Sequence, residues 1–321
     1  MKIVLPGGTG QVGTVLARAL HEGGHEVVIL SRRRPERSAP WRVVEWDAET
    51  VGRWAAEFEG ADAVVNLAGR SVNCRYDETN RRAIMESRVN SARVVGEAIA
   101  RAKRPPRVWL QMSTATIYAH RFDAPNDEAT GIIGGTEQDA PAAWRFSIDV
   151  ASAWERIVDE AHTPGTRKLK LRAAVIMSPD RGGVFDTLLR LVRFGLGGQS
   201  GDGRQYVSWI HDEDFVRAVM WLIEREELTG AVNLAAPHPL PNAEFMRALR
   251  EAWGVSIGLP ATRLMLEGGA FLMRSETELV LKSRRVVPGR LLESNFEFRF
   301  PFWTEAARDL CRRYRNETRG E

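Results

Sequence analysis

Short apolar runs and helical stripes alternate along this chain. Lys2 to Leu5 is an apolar run that stops at Pro6-Gly7-Gly8. Val12, Val15, Leu16, Ala19 and Leu20 then recur at helical spacing until Gly23-Gly24. Glu26 to Leu30 reads as a second strand and Trp41 to Trp46 as a third. Ala63 to Gly69 predicts a buried strand ending at a small-residue corner. Helical periodicity spans Asn80 to Ala102, where Pro105-Pro106 breaks it, and Val108 to Met112 is another strand. Ala142 to Ala161 predicts a long helix, and Leu169 to Met177 a final strand with Pro179 just beyond. Strands and helices in this alternation imply an α/β fold with a doubly wound parallel sheet.

The pattern changes after Pro179. Phe185 to Phe194 carries an apolar stripe of Leu188, Leu189, Leu191 and Val192, read as a helix over a cleft or, alternatively, one lying on a membrane surface. Gly195 to Gly203 is too glycine-rich for regular structure. Glu213 to Glu226 reads as a helix, Ala231 to Ala235 as a strand returning to the sheet, and Asn242 to Trp253 as a helix with Asn242 as N-cap. Phe296, Phe298 and Phe300 alternate like one buried strand face, and the polar tail from Arg312 reads as frayed. The expectation is a first domain over residues 1–178, its sheet completed by strands near 205–236. Residues 179–204 and 237–321 would form a smaller C-terminal, substrate-side domain.

Composition narrows the partners. Among 321 residues, 45 Lys plus Arg oppose 42 Asp plus Glu, a net charge of +3 that lacks the basic excess of a nucleic-acid binder. Cys74 and Cys311 stand alone, with no zinc-site spacing, so no metal is expected and a reducing compartment fits. The first apolar run is too short for a signal peptide, and no stretch of about 18 apolar residues offers a membrane span. A cytoplasmic protein acting on a small molecule is the expectation, with the oligomeric state open.

The chemistry starts at the first turn. Gly7, Gly10 and Gly13 follow a strand and open a helix, at the spacing found in short-chain dehydrogenases. One glycine permits the tight turn, one admits a pyrophosphate to the backbone, and one lets helix and strand pack closely. The pyrophosphate would rest on the helix N-terminus near Thr9, Gln11 and Val12, where free N–H groups and the helix dipole favour anions. An NAD site wants a carboxylate about 20 residues on, but the second strand ends Leu30-Ser31-Arg32-Arg33-Arg34. Arginine forks suit a 2′-phosphate, so NADP(H) is the expected cofactor, with Ser31 and Arg32 as its contacts; a solvated basic loop is the other reading. Asp47, at the end of the third strand, could accept from the adenine amino group. Leu67, Ala68 and Gly69 would let the nucleotide lie against the backbone of this Rossmann-type half.

As a set, Asn66-Leu67-Ala68-Gly69, Ile84 through Arg88, Trp154-Glu155, Gly201 through Gln205, Trp209-Ile210-His211 and Ser283 through Pro288 resemble an extended short-chain dehydrogenase/reductase. They are similar to the atypical "epimerase family protein" branch of the NAD-dependent epimerase/dehydratase superfamily, which carries its own C-terminal domain of unknown function. The resemblance covers the chain to about Phe300 and adds Arg88 and Pro179 to the expected cofactor contacts. It also implies a Ser/Thr, Tyr and Lys set, in which the hydroxyl holds a substrate oxygen, Tyr exchanges its proton, and Lys tunes Tyr and grips the ribose. Thr114 falls on the Ser/Thr position. Anchored on Trp154-Glu155, the Tyr position holds Ser147 and the Lys position Ala151, and neither can do that work.

Substitutes are open. Tyr118, four residues past Thr114, could point into the site or pack beneath the loop; His120 and Asp149 are weaker candidates. His211 reads as ligand or as structural histidine. Arg204 is the candidate for an anionic or polar substrate group, a surface arginine being its alternative. Two functions fit: an NADP(H)-dependent oxidoreductase or isomerase of epimerase/dehydratase type, or a cofactor-binding sensor with little turnover.

Overall fold

The computed structural model describes residues 1–33, 39–138, 140, 141, 144–262, 265 and 277–319. Strands β1 (Lys2–Pro6), β2 (Glu26–Ser31) and β3 (Arg42–Glu45) alternate with helix α1 (Gln11–Glu22) and short connections. Next come β4 (Ala63–Asn66), α2 (Glu78–Arg101), β5 (Val108–Thr114), α3 (Arg145–Glu160), β6 (Arg167–Ala173) and β7 (Val175–Met177). They are followed by α4 (Val184–Arg193), β8 (Tyr206–Val207), β9 (Trp209–His211), α5 (Asp212–Glu224), β10 (Gly230–Leu234), β11 (Leu240–Pro241) and α6 (Asn242–Trp253). The seven-stranded sheet runs β10-β6-β5-β4-β1-β2-β3, with every pairing parallel. The order reverses between β1 and β4, where a doubly wound sheet opens its ligand crevice.

Both faces of the sheet are covered, which is why its strands read as continuous apolar runs. Ile3, Leu5, Ile29 and Leu110 pack with Leu16 and Leu20 of α1 and Phe215 and Leu222 of α5. The opposite face joins Val4, Val28, Val64 and Trp109 to Val95 and Ile99 of α2 and Trp154 and Val158 of α3. A third core gathers Phe185, Leu189, Trp209, Phe245, Leu249, Trp303 and Leu310 around the C-terminal helix Trp303–Arg319.

Several expectations change. The run Leu169 to Met177 is two strands, because Ala174 N donates to Leu234 O whereas Val175 N donates to Ser208 O, so the chain leaves one sheet for another. β7 then pairs with β9, apart from the main sheet. Phe296, Phe298 and Phe300 form no strand. Phe296 fills the main core, while Phe300 stacks on His211 at 3.9 Å. The tail does not fray at Arg312: the helix continues to Arg319, held by Tyr314 donating to Asp186 and Arg313 donating to both oxygens of Asp212. Pro241, not Asn242, is the N-cap of α6, and Asn242 Oδ1 accepts from Ser200 N at 2.7 Å. α2 starts ahead of Asn80 because Asp77 caps it, accepting from Asn80 N at 2.8 Å. The predicted helix over Ala142 to Ala161 is described from Arg145 to Glu160; Ala142, Ala143 and Arg34 lie outside the described residues.

Candidate functional site

The three turn glycines do three different things. Gly7 has φ +74°, and a Cβ there would come within 2.5 Å of Ala68 Cα, so the left-handed turn and the close approach of β1 to β4 both require glycine. A Cβ on Gly13 would meet Gly8 O at 2.4 Å, so this glycine seats α1 against its own turn. Gly10 is different: it is exposed, and beyond its chain neighbours the nearest atom of the described residues to its Cβ position is Gly7 O at 3.9 Å. The fold therefore leaves open space over Gly10. Gly10 is also the N-cap of α1 and supplies no side-chain cap, so the first-turn N–H groups of Gln11, Val12 and Gly13 have no acceptor within the helix. Gln11 Nε2, packed under Gly183, is buried without a hydrogen-bond partner.

The parallel sheet brings the other expected cofactor contacts to the same end. Leu67 N donates to Pro6 O at 2.8 Å, and Ala68 N to Asn66 Oδ1 at 3.1 Å, holding the end of β4 beside the turn. Arg88 lies under Gly69 and donates to the carbonyls of Arg70 and Ile84, each at 3.1 Å; burial pushes its guanidinium down to about 10. Its hydrogen bonds fix the 69–70 loop. Thr9 Oγ1 and Ser31 Oγ are 3.3 Å apart, and Pro179 is buried just past β7.

At the end of β2, Arg32 and Arg33 are exposed and form no ion pair among the described residues. Asp47 is engaged in a turn of its own. Its Oδ1 accepts from Glu49 N and Thr50 N at 2.9 Å, and Oδ2 accepts from the Thr50 hydroxyl. Those bonds, the Thr50 hydroxyl foremost, hold the carboxyl below its ordinary range. It closes a turn.

At the C-terminal end of the sheet, Thr114 terminates β5, half-buried, and its Oγ1 accepts from Thr116 N at 3.1 Å. Tyr118 is not the phenol of an open cleft. It is 2% exposed, donates to Asn233 Oδ1 at 2.9 Å and accepts from Arg172 at 2.9 Å, and burial raises its pKa. Packing beneath the loop is the correct reading. His120 Nδ1 accepts from Ser283 N, and exposed Asp149 faces Arg145 on the same helix. His211, fully buried, caps α5 by accepting from Glu213 N, and burial lowers its pKa: a structural histidine. Arg204 is exposed, its guanidinium 5.7 Å over the Phe122 ring.

Ala151 is buried among Ala115, Ile117, Tyr118 and Val286. Ser147 is not idle, however: its hydroxyl donates to Glu278 Oε2 at 2.6 Å. Glu278 and Lys282 escaped the sequence reading, although a carboxylate and a lysine four apart around Leu279-Val280-Leu281 are an available signal. Among the described residues no three metal-ligating side chains cluster, and no helix is long and apolar enough to cross a membrane.

Residues 3–235 match the profile of the NAD dependent epimerase/dehydratase family, and residues 262–310 match a domain of unknown function, DUF1731. The human "Epimerase family protein SDR39U1" is 29% identical over 316 residues, covering 97% of this chain and 99% of that protein. "Epimerase family protein YfhF" of Bacillus subtilis is 28% identical, covering 94% of each chain. The crystal structure of human SDR39U1 (isoform 2) with NADPH superposes with a TM-score of 0.84 at 28% identity, covering 97% of this chain and 99% of that one.

Proposed function

The chain belongs to the NAD dependent epimerase/dehydratase family, and from that premise we propose that it binds NADP(H) at the β1/β4 crevice and acts on a small polar molecule. One observation carries the reading: the open, uncapped N-terminus of α1 over Gly10, which even a single Cβ would begin to fill. Gln11, Val12 and Gly13 would hold the pyrophosphate through their backbone N–H groups. Ala68 and Gly69 would lie under the dinucleotide, and Ser31 and Arg32 would take the 2′-phosphate. The structure of human SDR39U1 with NADPH supports the choice. A bound nicotinamide supplies hydride exchange at a carbon that bears oxygen. This chain's own part is to orient that oxygen, a task for the Thr114 hydroxyl, and to hold the remainder of the molecule, a task for Arg204.

The test is cofactor discrimination by calorimetry. NADPH is expected to bind more tightly than NADH by about 1.5–3 kcal/mol, the worth of charge-assisted contacts at the phosphate. Arg32→Ala should erase most of that gap and leave NADH affinity nearly unchanged. Equal affinities in the parent protein would refute the assignment of Arg32.

A further inference from the structure

Two opposite charges are buried together beside the reacting end. Glu278 is 2% exposed and Lys282 1% exposed, with Lys282 Nζ 3.6 Å from Glu278 Oε1. Lys282 Nζ donates to Thr116 O at 2.9 Å, in the turn that follows Thr114. Glu278 Oε2 accepts from Ser147 at 2.6 Å, whereas Oε1 has no hydrogen-bond partner. Arg284 closes the cluster, donating to Thr116 Oγ1 and to Glu278 O. The carboxylate and the ammonium thus arrive from the C-terminal segment at the two elements, α3 and the end of β5, that carry Ser147 and Thr114. Lys282 also forms part of the wall of a cavity of about 350 Å³, with Gly135, Thr136, Glu137, Trp144 and Ile148. Both Glu137 oxygens already accept backbone N–H groups, from His120 and Gly135.

A buried ion pair is a poor stabiliser, because desolvating both charges offsets most of their attraction. One kept at a cavity wall asks for a chemical use. We propose that Lys282 exchanges a proton with an oxygen of a small carbonyl or hydroxyl compound bound in this cavity, and that Glu278, held by Ser147, is its positioning residue. This rests on the cofactor reading above, since a bound nicotinamide would supply the hydride for the carbon. As the carbonyl oxygen gains its proton, a Lys282 N–H bond breaks, the O–H bond forms and the amine becomes neutral; water returns the proton afterwards. In the opposite direction the neutral amine takes the hydroxyl proton. The charged surroundings suit both directions. Burial holds the amine down to about 8; Glu278 and Glu137 pull it up, and Arg284 pushes it further down. A lysine near neutrality can both give and take a proton at ordinary pH.

The first test needs neither substrate nor cofactor: trace acetylation with acetic anhydride across pH, read by mass spectrometry. Lys282 should label with a midpoint near 8, against about 10.4 for ordinary lysines. Glu278→Gln should lower that midpoint, because the carboxylate that favours the ammonium is gone. The second test uses phenanthrenequinone as the carbonyl probe with NADPH. Lys282→Met should lose about 10²–10⁴-fold in turnover with NADPH affinity retained. Lys282→Arg should not rescue it, since a guanidinium keeps its proton. Should Lys282→Met fail to fold, the double variant Lys282→Met with Glu278→Gln removes both charges and takes its place. An ordinary labelling midpoint, unchanged turnover in Lys282→Met, or no turnover of the probe by a parent protein that binds NADPH would each overturn the proposal. Failure of the parent to bind NADPH would sink the cofactor reading instead, and the labelling midpoint would then decide Lys282 alone.

Discussion

Gly10→Val is expected to abolish NADPH binding while the protein stays folded. The backbone at Gly10, φ −74° and ψ 169°, is extended and open to any residue. Apart from its chain neighbours, no atom of the described residues lies closer than 3.9 Å to the new Cβ, so the side chain enters free space there. That space is the approach to the α1 N–H groups, and a branched side chain there shuts an anion out of this uncapped helix end. Affinity should fall at least about 100-fold, about 2.8 kcal/mol. Stability should fall by only about 1 kcal/mol, the difference between glycine and a poor N-cap residue. Gly7→Ala is the contrast. It forces a side chain into the left-handed region at φ +74° and against Ala68 Cα, and should cost more than about 2 kcal/mol of stability. Calorimetry and thermal melting of the two variants separate the roles. Unchanged NADPH affinity in folded Gly10→Val would remove the anion from this helix.

Glu155→Ala is expected to cost about 3–5 kcal/mol of stability without touching the dinucleotide crevice. Arg172 grips Glu155 with two bonds of 2.8 Å, and Ser113 donates a third at 2.7 Å to the same carboxylate. The side chains are only 12% and 7% exposed, so solvent screens the pair little. Burial works against the Arg172 charge, yet the hydrogen bond and charge of Glu155 outweigh it and raise its pKa. Removing Glu155 leaves the Arg172 guanidinium half-buried, with the Tyr118 hydroxyl as its remaining side-chain hydrogen-bond partner among the described residues. Tyr118→Phe should cost less, about 1–3 kcal/mol, because it strands the Asn233 amide oxygen while Arg172 keeps both bonds to Glu155. Urea unfolding midpoints at constant slope measure both losses. A Glu155→Ala penalty below that of Tyr118→Phe would show that Glu155 is not the anchor of this network.

Much of the Rossmann-type half is legible in the chain because its rules are local. Helical spacing from Val12 to Leu20, the strand runs at Ile3, Val28 and Val64, and the glycines at three-residue intervals each obey geometry spanning a few residues. Asp47 shows a second local rule at work: at the end of its strand it also closes a turn, accepting from Glu49 and Thr50, two and three residues on. The alternating phenylalanines at 296, 298 and 300 imitate a strand because an unpaired extended segment over a core also turns alternate side chains inward, leaving Glu297 and Arg299 exposed.

By itself, then, the sequence determined the cradle: a strand, a turn that only glycine can make, an uncapped helix, and arginines in place of a carboxylate at the next strand end. What only the tertiary structure decided is what meets Ser147 and the turn after Thr114. Ser147 meets Glu278 across 131 residues of chain, and Lys282 meets Thr116 across 166. No periodicity encodes contacts of that span. They arise because the C-terminal segment folds back over α3 and the end of β5, and a charged pair reads as surface until something buries it.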